Sequence, residues 1–384
     1  MSPTTNSPLV QERQLDRLQP EPHPTLAPTL SVIVPATDAP QTLSRCEQAI
    51  RSALGPDDEL IVVTEPPRSS PAAARNEGAA SARGEVLVFV DSDVLVHPDA
   101  LARLRAAFTA GSDLVAVFGS YDDAPTCPGL VSQFRNLLHH HLHQRHPGAA
   151  STFWSGLGAV RRHEFLRLGG FDTARYAVPA VEDIELGMRL RMAGGRIELR
   201  PDIQGTHLKS WTLSSMMHTD FRRRGVPWAL MCLERRSLPQ TLNLSWRERM
   251  STLATLLILG GLARRRRELI APGALALVWL DAPFYALLHR RLGFRRALLS
   301  VGLHALHRAM GMAAVPGGLA QFLRRPQSQS VRRWKRSRSP AARSVSPPSA
   351  DGDCAEASTR RWWEVRTAIA AMISAIASDS PMQV

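Results

Sequence analysis

The sequence contains few cysteines, and their spacing is unlike that of a metal site or a disulfide framework. Of 384 residues only four are cysteines, at the scattered positions Cys46, Cys127, Cys232 and Cys354. No two of them form a Cys-x-x-Cys pair, which argues against a structural zinc site and against a disulfide-stabilised secreted fold. A protein of a reducing compartment is the simplest expectation.

The N-terminal region also lacks the apolar core of a signal peptide. Residues 1–29 are rich in Pro, Thr, Gln and Glu, a composition that cannot bury enough apolar surface to fold. The sequence therefore predicts a disordered leader and gives no indication of export.

Acidic residues are outnumbered, at 34 against 47 lysines and arginines, so the formal net charge is +13. Much of the excess lies late in the chain, in residues 264–267, 290–296 and 324–343. A localised basic excess is typical of contact with anionic lipid or nucleic acid, with a solubilising tail as the alternative. The hydrophobic fraction of 44% suits a globular core and does not require a polytopic membrane protein.

Short apolar runs alternate with helical segments through the first half of the chain. Strands are predicted at 31–35, 60–63 and 86–90, with helices over 41–54 and 72–82 between them. Such alternation is typical of an α/β fold with a Rossmann-like, mostly parallel sheet flanked by helices. In these sheets ligands bind beyond the carboxyl ends of the strands.

The pattern changes after about residue 240. Apolar stretches cover 251–263, 269–289 and 297–323, and arginines flank the second on both sides, so charge gives no clear orientation. We expect helices that lie in or dip into the cytoplasmic membrane interface, with an ordinary helical subdomain as the alternative. The predicted organisation is a leader (1–29), a catalytic domain (30–240), an apolar and basic helical region (241–325) and a Ser/Arg/Pro-rich tail with a short terminal helix (326–384).

Two carboxylates follow the most β-rich run of the chain directly. Asp91-Ser92-Asp93 begins where the strand 86–90 ends, and extended geometry aims Asp91 and Asp93 to the same side. Carboxylate pairs suit Mg²⁺ or Mn²⁺, which prefer hard oxygen ligands. A strand-end turn leading into a helix is the structural alternative, because Asp and Ser favour such turns.

An ordered set of motifs around this pair resembles family 2 glycosyltransferases with the GT-A fold. The set covers about half of the chain and reads Val32-Ile33-Val34-Pro35, Ala74-Arg75-Asn76-Glu77-Gly78, Asp91-Ser92-Asp93, Ser155-Gly156, Gly169-Gly170-Phe171-Asp172 and Glu182-Asp183. The resemblance, to a membrane-associated bacterial type, implies transfer of a sugar from a nucleotide-diphosphate donor to a hydroxyl acceptor. A lipid-linked molecule is one candidate acceptor, and the cytoplasmic side of the cell membrane is the implied location.

The resemblance also implies roles for individual residues. A divalent metal, Mg²⁺ or Mn²⁺, would be held by Asp93 with Asp91 and His207, and would stabilise the charge on the leaving diphosphate. The nucleotide would contact four residues, namely Pro35, Glu65, Arg75 and Asp91.

The acceptor side of the reaction is implied by the Glu182-Asp183 motif. Asp183 would be the general base that removes the proton of the acceptor hydroxyl, and Glu182 would orient the acceptor or the base. The alternative is ordinary helix chemistry, because acidic residues favour the first turn of a helix.

Several features depart from the family pattern. The loop after the second strand reads Thr64-Glu65-Pro66-Pro67 where an acidic, glycine-containing loop is usual, so the identity of the base is open. The Gln-x-x-Arg-Trp signature of processive members is absent; Arg222-Arg223-Arg224 stands in its place and can clamp phosphate, which favours addition of a single sugar. The histidines between His139 and His146 spread over several faces of a helix, and we interpret them as a polar helix.

Two other functions remain open at this stage. A nucleotidyltransferase shares the α/β sheet and paired acids, but residues 36–40 lack its glycine-rich phosphate loop. A basic membrane- or nucleic-acid-binding protein on an inactive GT-A scaffold would explain the arginines at 332–338. The motif set argues against nucleic acid as the partner.

Overall fold

The computed structural model describes residues 27–111, 113–235, 242 and 245–324. Most of the predicted leader and all of the predicted tail, including its terminal helix, lie outside the described residues. The predicted domain boundaries stay a prediction.

Within the described residues, eight strands form one sheet, and twelve helical segments surround or follow it. The strands are β1 (Leu30–Pro35), β2 (Glu59–Val63), β3 (Val86–Val90), β4 (Val94–Val96), β5 (Leu114–Tyr121), β6 (Gly148–Ala149), β7 (Leu157–Arg161) and β8 (Arg196–His207). The helices are α1 (Leu43–Ala53), α2 (Pro71–Ser81), α3 (Ala100–Ala110), α4 (Leu130–Gln144), α5 (Arg162–Arg167), α6 (Glu182–Met192), α7 (Leu213–His218), a π-helical segment (Thr219–Gly225), α8 (Val226–Arg235), α9 (Trp246–Ala263), α10 (Arg267–Leu292) and α11 (Phe294–Arg324).

The strand order is β2-β1-β3-β7-β5-β8-β4, with β6 paired to β8. Strands β1, β2 and β3 pair in parallel, as do β5 and β8. Strand β7 is antiparallel to both of its neighbours, and β4 is antiparallel to β8. The α/β fold is therefore confirmed, and the sheet is mixed because short strands run against the main direction.

Two hydrophobic clusters cover the two faces of the sheet. Alternate residues of β3 divide between them: Val86, Val88 and Val90 face one cluster, whereas Leu87 and Phe89 face the other. All five are fully buried, which explains why this strand reads as a continuous apolar run in the sequence. A strand buried on both faces ends abruptly at its first charged residue, and here that residue is Asp91.

The C-terminal helices α9, α10 and α11 are long and apolar. Helices α10 and α11 are long enough and apolar enough to cross a membrane, with mean hydropathies of 1.5 and 1.2 over their most apolar windows. Only 28% and 22% of those windows are buried, whereas a core helix of a soluble protein is mostly covered. Large side chains such as Leu275, Trp279 and Leu298 are more than 60% exposed. Two such helices alone are weak support for membrane association.

Candidate active site

The ends of β3 and β8 meet through a short antiparallel ladder, and this ladder defines the site. Val94, the first residue of β4, pairs with His207, and the Leu208 amide donates to the Asp93 carbonyl at 2.8 Å. As a result His207 Nε2 lies 3.8 Å from Asp93 Oδ2. Two residues that are 114 positions apart in the sequence therefore share one corner of the cleft.

Asp93 is a partly exposed carboxylate with few protein partners. Its side chain is 22% exposed, and Lys209 Nζ lies 4.0 Å from its Oδ2. Burial and the neighbouring charge of Asp91 raise its pKa to about 6, although Lys209 acts in the opposite direction. Binding of a cation would relieve the repulsion between the two carboxylates.

His207 is held by stacking against Tyr121. The ring centroids are 4.1 Å apart and the planes are inclined by 11°. Burial, reinforced by Lys209, Arg224 and Arg135, lowers the pKa of His207 to about 3. The imidazole is therefore neutral at physiological pH, which is the form that binds metals. Asp93 and His207 together fit a divalent cation, with phosphate and water oxygens as its remaining ligands.

Arg75 lies between the two carboxylate motifs. The side chain is buried, and its Nη2 donates to Asp91 Oδ1 at 2.6 Å while Nη1 lies 3.5 Å from Glu182 Oε1. The guanidinium also lies over the Phe171 ring, 5.6 Å from its centroid. Asp91 therefore contacts Arg75, whereas Asp93 faces His207. The two carboxylates of the motif have different partners.

Asp183 occupies the first turn of α6. Its Oδ2 accepts a hydrogen bond from the Ser155 amide at 3.3 Å, and its Oδ1 accepts from the Ile184 amide at 2.8 Å. Burial and the adjacent charge of Glu182 raise its pKa to about 6, against the lowering effect of Arg75 and the two amides. A carboxylate with this pKa is ionised at neutral pH and still basic enough to accept a proton.

One tight loop connects these two centres. The Asp91 amide donates to the Gly156 carbonyl at 3.1 Å, and the neighbouring Ser155 amide is the donor to Asp183. A Cβ on Gly156 would lie 2.4 Å from the Trp154 ring, so only glycine fits at that position. The Ser155-Gly156 motif thus fixes the spacing between the strand-end carboxylates and Asp183.

Pro35 and Glu65 lie at the ends of the neighbouring strands. Pro35 is buried at the end of β1 and pairs in register with Val63. Glu65 is exposed, precedes a cis peptide bond to Pro66, and has no hydrogen bond or ion pair within the described residues. The roles assigned to both residues from the sequence stay predictions.

The histidines of α4 pack into the fold rather than forming a solvated polar face. His143 is buried, and His140 and His143 use Nδ1 to bond the carbonyls of Tyr121 and Gly119 in β5. The His139 ring lies 4.2 Å from Tyr121, on which His207 also stacks. These contacts correct the interpretation of a polar helix, and the four-residue spacing of His139 and His143, which places them on one helical face, is the signal in the sequence that points to them.

The π-helical segment carries the three arginines. Its buried Asp220 is tied to Arg135 of α4 at 2.9 Å and to His307 of α11 at 2.7 Å. Arg224 is exposed, yet its charge lowers the pKa of both His207 and His139, which places it beside the cleft. A π-helical turn often marks a functional position within a longer helix.

An α/β sheet with carboxylates at the ends of its strands is the arrangement that the sequence motifs predict for a glycosyltransferase. Residues 56–167 match the family model described as Glycosyl transferase family 2. The predicted family 2 glycosyltransferase domain is thereby confirmed, and with it the enzyme class and glycosyl transfer as the reaction. The match covers less than half of the chain and includes Glu65, Arg75, Asp91 and Asp93.

Two solved structures resemble the chain at low identity. One is the mannosyltransferase PcManGT from Pyrobaculum calidifontis in complex with GDP-Man and Mn²⁺, with a TM-score of 0.41 and 19% identity over 81% of this chain and 94% of that chain. The other is GalNAc-T7 with UDP, GalNAc and Mn²⁺, with a TM-score of 0.37 and 14% identity over 55% of this chain and 51% of that chain. No curated protein sequence matches.

Proposed function

We propose that the protein transfers a sugar, with inversion, from a nucleotide-diphosphate donor to a hydroxyl acceptor at the cytoplasmic face of a membrane. The observation that carries this proposal is the loop at Ser155-Gly156, which holds Asp183 through one amide and Asp91 through the next carbonyl. A general base is thereby kept at a fixed spacing from the carboxylates at the end of β3. Direct displacement needs this arrangement, because the base acts on the acceptor while the leaving diphosphate departs on the other side.

On the acceptor side, Asp183 accepts the proton of the attacking hydroxyl. Arg75 holds Glu182 and Asp91 and keeps the pKa of Asp183 from rising further. The hydrogen bond from the Ala180 amide fixes Glu182 Oε2 at 2.8 Å. Glu182 is thus a positioning group, with one oxygen toward the backbone and the other toward Arg75.

On the donor side, Asp93 and His207 would hold the divalent ion, and Lys209 and Arg224 supply positive charge near the diphosphate. The ion, when bound, acts as a Lewis acid that stabilises the charge on the departing nucleoside diphosphate. Pro35 at the end of β1 and Glu65 in the loop after β2 would contact the nucleoside. Stacking on Tyr121 keeps the imidazole of His207 in place for this task.

The donor class is tested by a hydrolysis screen of nucleotide-diphosphate sugars with purified full-length protein. We expect slow turnover of at least one donor with Mn²⁺ or Mg²⁺, and a decrease of about 100-fold or more after chelation with EDTA. Restoring activity with excess Mn²⁺ controls for damage by the chelator. Activity on every donor that is equal with and without EDTA would contradict the metal assignment, and no turnover of any donor would contradict the proposed reaction.

The membrane part of the proposal depends on the surface of α9, α10 and α11. Apolar side chains that are about half exposed or more lie on all three helices, among them Leu262, Leu275, Trp279, Phe294 and Leu298. Arginines border this surface at residues 264–267 and 290–296. Apolar surface bordered by arginine suits the interface of a bilayer that contains anionic lipid. A lipid-linked acceptor would then reach the cleft from the same side.

Binding to vesicles tests this part. The full-length protein is expected to float with vesicles that contain anionic lipid, and each arginine removed near the surface costs about 1 kcal/mol of binding. Replacing Arg264, Arg265, Arg266 and Arg267 with glutamine should therefore abolish flotation at physiological salt. Replacing Arg83, Arg103, Arg167 and Arg191, which lie on the sheet domain, is the matched control and should leave it unchanged. Equal binding to neutral vesicles would contradict a role for anionic lipid.

A further inference from the structure

The C-terminal helices meet at a buried polar cluster that the catalytic site does not use. It consists of Glu248 on α9, Asp281 on α10, and His304 and Arg308 on α11. Asp281, His304 and Arg308 are each less than 10% exposed, and apolar residues of the helices surround them. Ionisable groups in such surroundings carry a high desolvation cost, so each must be accounted for.

Arg308 fixes the two carboxylates but uses only one oxygen of each. Its Nη2 lies 2.9 Å from Glu248 Oε2 and 3.0 Å from Asp281 Oδ1. Its Nη1 donates to the Glu248 carbonyl at 2.9 Å. The guanidinium therefore orients both side chains and leaves one oxygen of each carboxylate available, which is the usual task of a group that supports metal ligands.

The cluster has unsatisfied polar atoms and an unbalanced charge. Asp281 Oδ2 and the Ser251 hydroxyl are both buried without a hydrogen bond of standard geometry, and the Ser251 hydroxyl lies within reach of the Asp281 carboxylate. Two carboxylates against one guanidinium leave a single negative charge. Buried polar atoms of native proteins are normally satisfied, and a neutral hydroxyl does not balance the carboxylate charge, so the cluster points to a missing positive partner.

An imidazole completes a set of ligand atoms around the orphaned oxygen. His304 Nδ1 lies 4.0 Å from Asp281 Oδ2. One ligand atom from each of Glu248, Asp281 and His304 lies within 4.8 Å of the other two. In a tetrahedral zinc site with bonds of about 2.0–2.2 Å, ligand atoms are separated by roughly 3.4 Å. Side-chain rotations that bring the ligand atoms closer together by about 1 Å would therefore give the separations of a tetrahedral zinc site.

We propose that Glu248, Asp281 and His304 bind one Zn²⁺ ion, which joins α9, α10 and α11. Two carboxylate oxygens and one imidazole nitrogen match the ligands that zinc takes, and the Ser251 hydroxyl or a water fills the fourth position. The ion replaces the single negative charge with a single positive one and gives Asp281 Oδ2 a positive partner. Since the ligands come from three helices, binding stabilises their packing. This site is separate from Asp93 and His207 and does not depend on the proposed reaction.

Metal analysis of the full-length protein tests the proposal. After equilibration with Zn²⁺ and desalting, we expect one zinc per chain in the wild type and also in Asp93→Ala, which removes the catalytic carboxylate. Asp281→Asn and His304→Gln should each weaken zinc binding by about 10-fold or more. Glu268→Gln, an exposed carboxylate at the start of the same helix α10 as Asp281, is the matched control and should retain the zinc.

Two further measurements keep the proposal testable if a variant fails to fold. X-ray absorption of the zinc-loaded wild type should show a nitrogen and oxygen shell with one imidazole and no sulfur. The Tyr285 hydroxyl lies 3.2 Å from His304 Nδ1 and competes for that nitrogen, so Tyr285→Phe should bind zinc at least as tightly. A sulfur shell, a wild type that keeps no zinc, or equal zinc in Asp281→Asn, His304→Gln and wild type would overturn the proposal.

Discussion

Replacing Asp183 with asparagine is expected to lower kcat/KM for sugar transfer by about 10²–10⁴-fold, the usual contribution of a general base. The amide side chain has nearly the same shape, and its one oxygen can keep the hydrogen bond from the Ile184 amide, whereas its NH2 group replaces the oxygen that accepts from the Ser155 amide. It cannot accept a proton from the acceptor. The loss should therefore fall on kcat, with little change in the affinity for the nucleotide donor.

The pH dependence gives this prediction a second measurement. Burial and Glu182 raise the pKa of Asp183 to about 6, and only the ionised form accepts a proton. Wild-type kcat/KM should therefore rise tenfold per pH unit below about pH 6 and level off above it. In Asp183→Asn the residual kcat/KM should not show this dependence on pH below about pH 6.

A matched control is available on α2. Glu77 is an exposed carboxylate two residues from Arg75, and Glu77→Gln should retain wild-type rates and pH dependence. Full activity of Asp183→Asn, in a protein that unfolds at the wild-type temperature, would rule out Asp183 as the base. If kcat/KM of that variant still fell tenfold per pH unit below about pH 6, this pH dependence would belong to another group, with Asp93 the first candidate.

Replacing Asp93 with alanine is expected to reduce transfer by on the order of 10³-fold, comparable to the loss of a principal electrostatic stabiliser of the leaving group. Asp93 is the carboxylate that faces His207 at 3.8 Å, whereas Asp91 is engaged by Arg75 at 2.6 Å. Affinity for Mn²⁺, measured by electron paramagnetic resonance in the presence of a nucleoside diphosphate, should fall in parallel. The two Asp residues are therefore not equivalent.

Comparison with His207→Ala and Asp91→Asn separates the contributions. His207→Ala should weaken Mn²⁺ binding by about 10–100-fold. Asp91→Asn should affect Mn²⁺ less than Asp93→Ala, because its carboxylate is already paired. If Asp93→Ala bound Mn²⁺ as tightly as the wild type, the metal site would have to lie elsewhere, and if Asp91→Asn lost more affinity, the division of roles between the two carboxylates would be wrong.

The sequence determined the elements of the catalytic half because their signals are local. Strand β3 has the predicted bounds of 86–90 as a run buried on both faces, and helix α6 begins at the Glu182-Asp183 motif with these acids in its first turn. The family 2 domain was also recognised from ordered motifs. The domain boundaries and the roles of Pro35, Glu65, Arg75, Asp91, Asp93, Glu182, Asp183 and His207 stay predictions.

Tertiary structure decided which of these residues meet. The sequence places both acids of Asp91-Ser92-Asp93 at the metal, yet one faces Arg75 and the other His207, because β4 pairs with β8 and Arg75 of α2 reaches Asp91. The packing of the α4 histidines and the cluster around Arg308 depend on contacts between segments far apart in the chain. Residue types and periodicity report which elements form, whereas partners across the fold are set by strand order and helix packing, which no local pattern encodes.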